Sequence, residues 1–270
     1  MPELPEVQTT VKGLQVLLNE KIINSYIFSL KLRYRIPKKI IKISKGTKII
    51  KIYRIGKYII INLKNEYSLI LHLGMSGRIK IREINNYKLI KHDHFLIKTK
   101  KYTMIFNDTR KFGFIDLIYT SKIRQQKNIS ILGIDALDKS LNKKYLYDKI
   151  KKSVVPIKQL LLNQKIISGI GNIYACEILF DSKISPLRLG ENIKLYEVDK
   201  IIISIRKILL KAINCGGSTL QDYVATDGTL GNFQKNFKVY NKTRDKIGSN
   251  EIIRIRQYGR STFYCPKIQK

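Results

Sequence analysis

At 270 residues the chain is long enough for two domains with hydrophobic cores of their own. Its 52 Lys and Arg against 20 Asp and Glu give a net charge of +32, which points to a polyanionic partner, although an AT-rich coding bias accounts for part of the same excess. With 44% hydrophobic residues the chain is not disordered, and charges interrupt each apolar run short of the ~20 residues that span a bilayer.

The opening residues Met1-Pro2-Glu3-Leu4-Pro5-Glu6 carry acids and prolines where a secretory leader has basic and apolar stretches, so a cytoplasmic protein is expected. From Pro5, the spacing of Val7, Val11, Leu14 and Leu18 predicts an amphipathic helix with proline in its first turn. From Lys21 to about Ile118 the pattern is β-branched and aromatic, with strands over 48–53, 58–63 and 68–73 and a turn at Lys64-Asn65-Glu66. Beyond Leu132-Gly133, helices are expected over 143–152, 158–167, 173–180 and 198–213. Cys215-Gly216-Gly217 ends the last of them, and residues 226–232 have the composition of a loop. Residues 252–265 read as a β-hairpin turning at Gln257-Tyr258-Gly259-Arg260. Cys176, Cys215 and Cys265 form no Cys-x-x-Cys pair, which excludes a thioredoxin-like motif and a four-cysteine zinc site made by this chain alone.

Four segments carry recognisable chemistry: Pro2-Glu3-Leu4-Pro5-Glu6, Leu71-His72-Leu73-Gly74-Met75-Ser76-Gly77-Arg78, Gly169-Ile170-Gly171-Asn172-Ile173-Tyr174 and Gly259-Arg260-Ser261-Thr262. In this order and spacing the set resembles the formamidopyrimidine-DNA glycosylases, bacterial enzymes that excise oxidised purines, and the resemblance runs from Pro2 to Lys270. It implies an α+β fold: a β-sandwich with a leading helix over 1–132, a helical domain with a helix-two-turn-helix over 133–237, and a β-hairpin over 238–270. It also implies a monomer whose partner is damaged double-stranded DNA, with no membrane and no small-molecule cofactor.

The residue roles follow from that resemblance. With Met1 removed, Pro2 carries a free secondary amine; an α-amino group has a pKa of roughly 7.7 to 8.0, so much of it is an unprotonated nucleophile at neutral pH. Glu3 is assigned proton transfer at the sugar and Glu6 a supporting part, while both acids also suit the positive end of the first helix. Lys57 matches a lysine that contacts phosphate and donates a proton in elimination, and Arg260 a phosphate-binding arginine. His72 and His92 match positions next to phosphate, with a buried, hydrogen-bonded histidine as the competing reading. An extruded nucleotide leaves a hole in the duplex. Met75, Arg110 and Phe112 match the residues that fill it, Arg110 meeting the orphaned cytosine; the glycines around them mark exposed loop tips rather than core. Lys152, Lys158 and Asn172 are expected at phosphate in the helical domain. Lesion recognition is expected from residues 218–240.

The relatives end in two Cys-x-x-Cys pairs, whereas here only Cys265 remains. A zinc-less finger is therefore expected, held by packing of Ile253, Ile255, Phe263 and Tyr264. Two alternatives stay open: an endonuclease VIII-like enzyme for oxidised pyrimidines, and a non-catalytic DNA-binding relative.

Overall fold

The computed structural model describes residues 2–84, 87–218, 225–226, 228–243 and 250–270. The backbone forms two compact units, residues 1–130 with 215–232 and residues 131–214 with 233–270. The chain passes from the first unit to the second after residue 130; residues 215–232, expected in the helical domain, lie in the first unit, and the hairpin belongs to the second.

The first unit opens with α1 (Leu4–Leu14), whose Val7, Val11 and Leu14 form one buried stripe. Then come β1 (Asn24–Ile27), α2 (Ile40–Ser44), β2 (Ile49–Ile55), β3 (Tyr58–Leu63), β4 (Tyr67–His72), β5 (Arg78–Glu83), β6 (Asp93–Lys98), β7 (Tyr102–Asn107), β8 (Phe114–Tyr119) and α3 (Lys127–Ser130). The strands make two antiparallel sheets, ordered β1-β6-β7-β5 and β2-β3-β4-β8. Ile59, Ile61, Leu69 and Leu71 of the second sheet share one core with Phe95, Ile97, Met104 and Phe106 of the first and with the α1 stripe. Alternate residues Ile60 and Ile70 point the other way, against Phe114, Ile123 and Ile129. The second sheet is thus covered on both faces, which is why β3 reads as a continuous apolar run.

Helix α2 departs from the all-strand expectation for this region. Its β-branched residues favour a strand locally, but Ile40 is fully buried and Ser44 Oγ hydrogen-bonds Ser25 Oγ at 2.8 Å. Tertiary burial overrides the local preference.

The topology creates a special end of the sandwich. β4 pairs with β8 in one sheet and β5 with β7 in the other. The connections β4–β5 and β7–β8 must therefore both cross between the sheets, and the pairs His72–Phe114 and Arg78–Asn107 place the crossings side by side.

The second unit contains β9 (Ile134–Asp135), α4 (Lys143–Ile150), α5 (Ile157–Leu162), β10 (Ile167–Ser168), α6 (Asn172–Asp181), α7 (Leu195–Asn214), β11 (Ile253–Gln257) and β12 (Arg260–Tyr264). α5 stops at Leu162, short of the expected Ile167, because Ile167 pairs in parallel with Ile134. The Gln164 side chain then organises the turns into α6, donating to Ile170 O at 2.8 Å and accepting Gly169 N–H at 2.9 Å. β11 and β12 join through Tyr258 and Gly259, both at positive φ (48° and 76°), as a tight type I′ hairpin requires.

The hairpin packs differently from the expectation. Phe263 is buried as expected, but its neighbours are Ile252, Cys265, Val239 and Cys176 of α6, while Ile253 is exposed and Ile255 and Tyr264 are only half-buried. Gln257 and Thr262 are buried on the same strands and hydrogen-bond each other at 3.1 Å.

Glu177, on the same helix, is buried and accepts the backbone N–H groups of Lys238, Val239 and Tyr240 at 2.9, 3.0 and 2.8 Å. Burial raises its carboxyl above the usual range while these three donors pull it down. Truncation in Glu177→Ala strands the three amides, so denaturant melts are expected to register a loss of about 1–3 kcal/mol, with Glu177→Gln losing less.

Candidate active site

Pro2 and Glu3 are buried just before α1, Glu3 being its N-cap in extended conformation. Glu3 donates its backbone N–H to Glu6 Oε2 at 2.9 Å. The other Glu6 oxygen accepts Ser218 N–H at 2.7 Å and Ser218 Oγ–H at 3.0 Å. Glu6 thus fastens the chain's opening residues to the segment returning after α7. Gly217 makes this approach possible, since it has φ +80° and a Cβ there would lie 3.0 Å from Glu6 Oε1. Of the expected lesion-recognition segment, residues 219–224 and 227 lie outside the described residues; Thr226 is docked by its carbonyl, which accepts Ile81 N–H at 2.9 Å.

Lys57 lies in the tight turn between β2 and β3. Arg54 ties that turn to α1, donating Nε to Gln8 Oε1 at 3.0 Å and Nη1 to Gly56 O at 2.8 Å. Lys57 is buried, unlike an ordinary surface lysine. His72 faces Tyr58 across the β3–β4 pair, its ring 4.8 Å from that of Tyr58 and stacked 5.7 Å from Phe114. Burial, aided by the charges of Lys57 and Arg33, lowers the His72 pKa to about 4. Its Nδ1 accepts Gly74 N–H at 3.0 Å, which leaves the proton of the neutral ring on Nε2. Two expected phosphate-side residues therefore come together, one cationic and one a neutral donor.

The three expected void-filling residues stand on the two crossing connections. Met75 and Phe112 are 37% and 44% exposed, which favours loop tips over core, and the Arg110 guanidinium lies 4.9 Å from the centre of the Phe112 ring. Gly74 has φ +62°, and a Cβ on it would come within 2.4 Å of the Phe112 carbonyl carbon. Backbone thus packs on backbone. His92 contributes a carbonyl that accepts Asp108 N–H at 3.0 Å, while His94 rather than His92 is the buried, hydrogen-bonded histidine of the pair. The sequence reading missed Asp108, although an Asp two residues before Arg110 is the signature of the Asx-turn it makes, accepting Arg110 N–H at 3.2 Å.

In the second unit, Asn172 opens α6 and accepts the Lys158 ammonium on Oδ1 at 2.7 Å. Lys158 also donates to Thr262 Oγ1 at 2.6 Å and to Ser261 O at 3.2 Å, and Asn172 Nδ2 donates to Ser261 O at 2.9 Å. This corrects the phosphate contact expected of Lys158. The residue is 0% exposed and its ammonium is spent on three protein acceptors, so it bridges α5 and α6 to β12 instead. Arg260, the residue before Ser261, is exposed, and so is Lys152 just beyond α4, apart from this network.

The described residues do not fit the zinc that the family resemblance implies. Cys265 is fully buried in an apolar cluster, and no three His, Cys, Asp or Glu among the described residues are grouped to hold a metal. No helix among them is long and apolar enough to cross a membrane.

His72 makes pH dependence testable. Its folded pKa lies below the unfolded value of roughly 6.5, so its contribution to stability is complete above that pH and is lost as pH falls toward 4. An NMR titration is expected to place the His72 midpoint near 4, and His72→Gln is expected to flatten the decline in melting temperature between those limits.

Residues 1–115 match the model of the formamidopyrimidine-DNA glycosylase N-terminal domain and residues 132–224 that of the formamidopyrimidine-DNA glycosylase H2TH domain. The chain is 43% identical to a formamidopyrimidine-DNA glycosylase of Zymomonas mobilis, with both chains covered in full, and 41% identical to one of Rickettsia felis, covering all of this chain and 98% of that one. Among solved structures, a Lactococcus lactis Fpg variant in complex with Fapy-dG DNA superposes with a TM-score of 0.92 at 32% identity over the whole of both chains. The same organism's Fpg in complex with abasic-site DNA gives 0.90 at 31%, again covering both chains in full. With a matching sandwich, helix-two-turn-helix and N-terminal motif, the chain belongs to the formamidopyrimidine-DNA glycosylase family, DNA glycosylases of base excision repair.

Proposed function

We propose that the protein excises oxidised purines, 8-oxoguanine and formamidopyrimidines, from duplex DNA through a covalent Pro2 intermediate and then nicks the strand. The observation that carries this reading is the pair of exposed apolar side chains, Met75 and Phe112, on interlocked loops with Arg110 lying over the Phe112 ring. Apolar residues held at a tip with an arginine fork over one of them suit a gap in stacked bases whose partner base has lost its mate.

With Met1 removed, the Pro2 nitrogen attacks C1′, forming an N–C1′ bond as the glycosidic bond breaks and the base leaves with a proton. Loss of the amine proton frees the nitrogen lone pair to expel the ring oxygen O4′, which takes up a proton as the C1′–O4′ bond breaks, and the opened sugar is held as an iminium. That cation acidifies C2′–H, whose removal expels the 3′ phosphate; a second elimination expels the 5′ phosphate, and water releases Pro2. Glu3, buried beside Pro2 and held through its own N–H by Glu6, is placed to move the protons. Lys57 offers an ammonium and neutral His72 an N–H to a phosphate, and in the second unit Asn172, through backbone N–H at the start of α6, and the exposed Arg260 add contacts. The remaining positive charge supplies salt-sensitive, sequence-independent affinity. No step passes through a metal, and the finger works without zinc.

One observation favours a second substrate class: the Lactococcus lactis Fpg has also been solved with DNA containing an oxidised pyrimidine, at a TM-score of 0.90 to this chain. Both classes enter one test. Incubation of the Met1-processed protein with duplex 8-oxoguanine opposite cytosine, followed by borohydride, is expected to yield a covalent adduct that maps to Pro2 by peptide mass; trapping that occurs only with thymine glycol would move the assignment to pyrimidines, and none with any lesion would leave a DNA-binding relative. Dialysis against a strong zinc chelator is expected to leave excision unchanged, with elemental analysis finding well under one zinc per chain.

A further inference from the structure

Asp108 is fully buried at the start of the β7–β8 crossing, and every polar atom it has is engaged. Its N–H donates to His92 O at 3.0 Å, and its carbonyl oxygen lies 2.7 Å from His94 Nε2. The carboxylate reaches across both connections: Oδ1 accepts Ser76 Oγ–H at 2.6 Å and Arg110 N–H at 3.2 Å, and Oδ2 accepts Gly113 N–H at 2.8 Å. Ser76 Oγ itself accepts Arg110 N–H at 3.0 Å. That contact fixes the direction of the Ser76 hydroxyl, whose proton must go to Asp108. One carboxylate therefore holds the residue after Met75, the backbone of Arg110 and the residue after Phe112.

We infer that Asp108 is a positioning residue that locks the two loops into one wedge and thereby sets the enzyme's discrimination for the base opposite the lesion. The inference rests on the functional reading above, in which Arg110 meets that base, and adds to it what holds Arg110 in place. A wedge that must be inserted into a base stack benefits from being built before DNA arrives, because side chains ordered on binding charge their lost entropy against affinity. Close packing at Gly74 and Gly113 supplies the contact between the loops; Asp108 supplies its direction. A Cβ on Gly113 would lie 2.7 Å from His72 O and 3.1 Å from Asp108 Oδ2, so the crossing has no slack for an alternative arrangement.

An amide cannot replace the carboxylate. In Asp108→Asn one rotamer sets the NH2 group against the Gly113 N–H; in the other it sets NH2 against the Arg110 N–H and forces the Ser76 hydroxyl to turn its proton away and accept, so each rotamer loses bonds that the carboxylate makes. The loops thereby lose part of their tie.

The test compares wild type, Asp108→Asn and the milder Ser76→Ala on two substrates: duplex 8-oxoguanine opposite cytosine or adenine, and a single-stranded abasic site, which has no orphaned base. Asp108→Asn is expected to lower kcat on the duplex about tenfold and to bring the cytosine-to-adenine rate ratio close to one. Borohydride trapping on the single strand should stay within about twofold of wild type. Ser76→Ala should shift the ratio in the same direction by a smaller factor. A fluorescent cytosine analogue opposite the lesion should report weaker unstacking in both variants. An unchanged ratio in both variants while the wild type is active would overturn the inference alone, as would an equal loss on single-stranded and duplex DNA. Absence of any wild-type adduct would overturn the functional reading, and this inference with it.

Discussion

Two connections that must cross a β-sandwich side by side are the constraint on which the site depends. Because β4 pairs with β8 and β5 with β7, the chain passes between sheets twice at the same end, and the two passages lie against each other. Strand pairing on either side fixes where each loop begins and ends, so their tips have little freedom. Glycine at 74 permits backbone-to-backbone contact, and a buried carboxylate joins the passages. The exposed side chains of Met75 and Phe112 are thereby carried on loops anchored in a sheet at each end.

A second pattern concerns the acids. In a chain with only 20 carboxylates against 52 cationic side chains, several are buried and spent on backbone N–H groups. Glu6 holds Glu3 and Ser218; Asp108 holds Arg110 and Gly113; Glu177 holds residues 238–240. Each secures an irregular segment that has no sheet or helix ladder of its own to satisfy its donors. Internal use of acids also leaves the surface more one-sidedly cationic than composition suggests, which suits a polyanion. Lys158 is the converse case, a buried cation that knits α5, α6 and β12 through three protein acceptors.

The contrast between Lys57 and Lys158 explains where sequence reading works. Both are lysines in recognisable motifs, and composition treats them alike. Lys57 lies beside His72 in a turn tied to α1, whereas Lys158 is closed over by Ser261 and Thr262, more than a hundred residues later in the chain. Only a long-range contact separates a bridging lysine from one placed at a site. The hairpin is similar. Its turn and strand lengths are legible from Tyr258-Gly259 and the flanking residues, but the burial of Gln257 and Thr262 comes with partners elsewhere, Pro186 O for Gln257 and the Lys158 ammonium for Thr262.

From sequence alone, the hydrophobic periods located α1, β3, α6 and α7, and four ordered motifs identified the family and its N-terminal amine. These are local properties: side-chain spacing, turn chemistry and the types of residue that a reaction needs. Only the tertiary structure decided that α2 is a helix, that α5 ends at Leu162, that Lys158 is buried, and that Asp108 joins two loops. Each of those outcomes turns on satisfying a buried group with a partner distant in the chain, and no local pattern encodes which partner that will be.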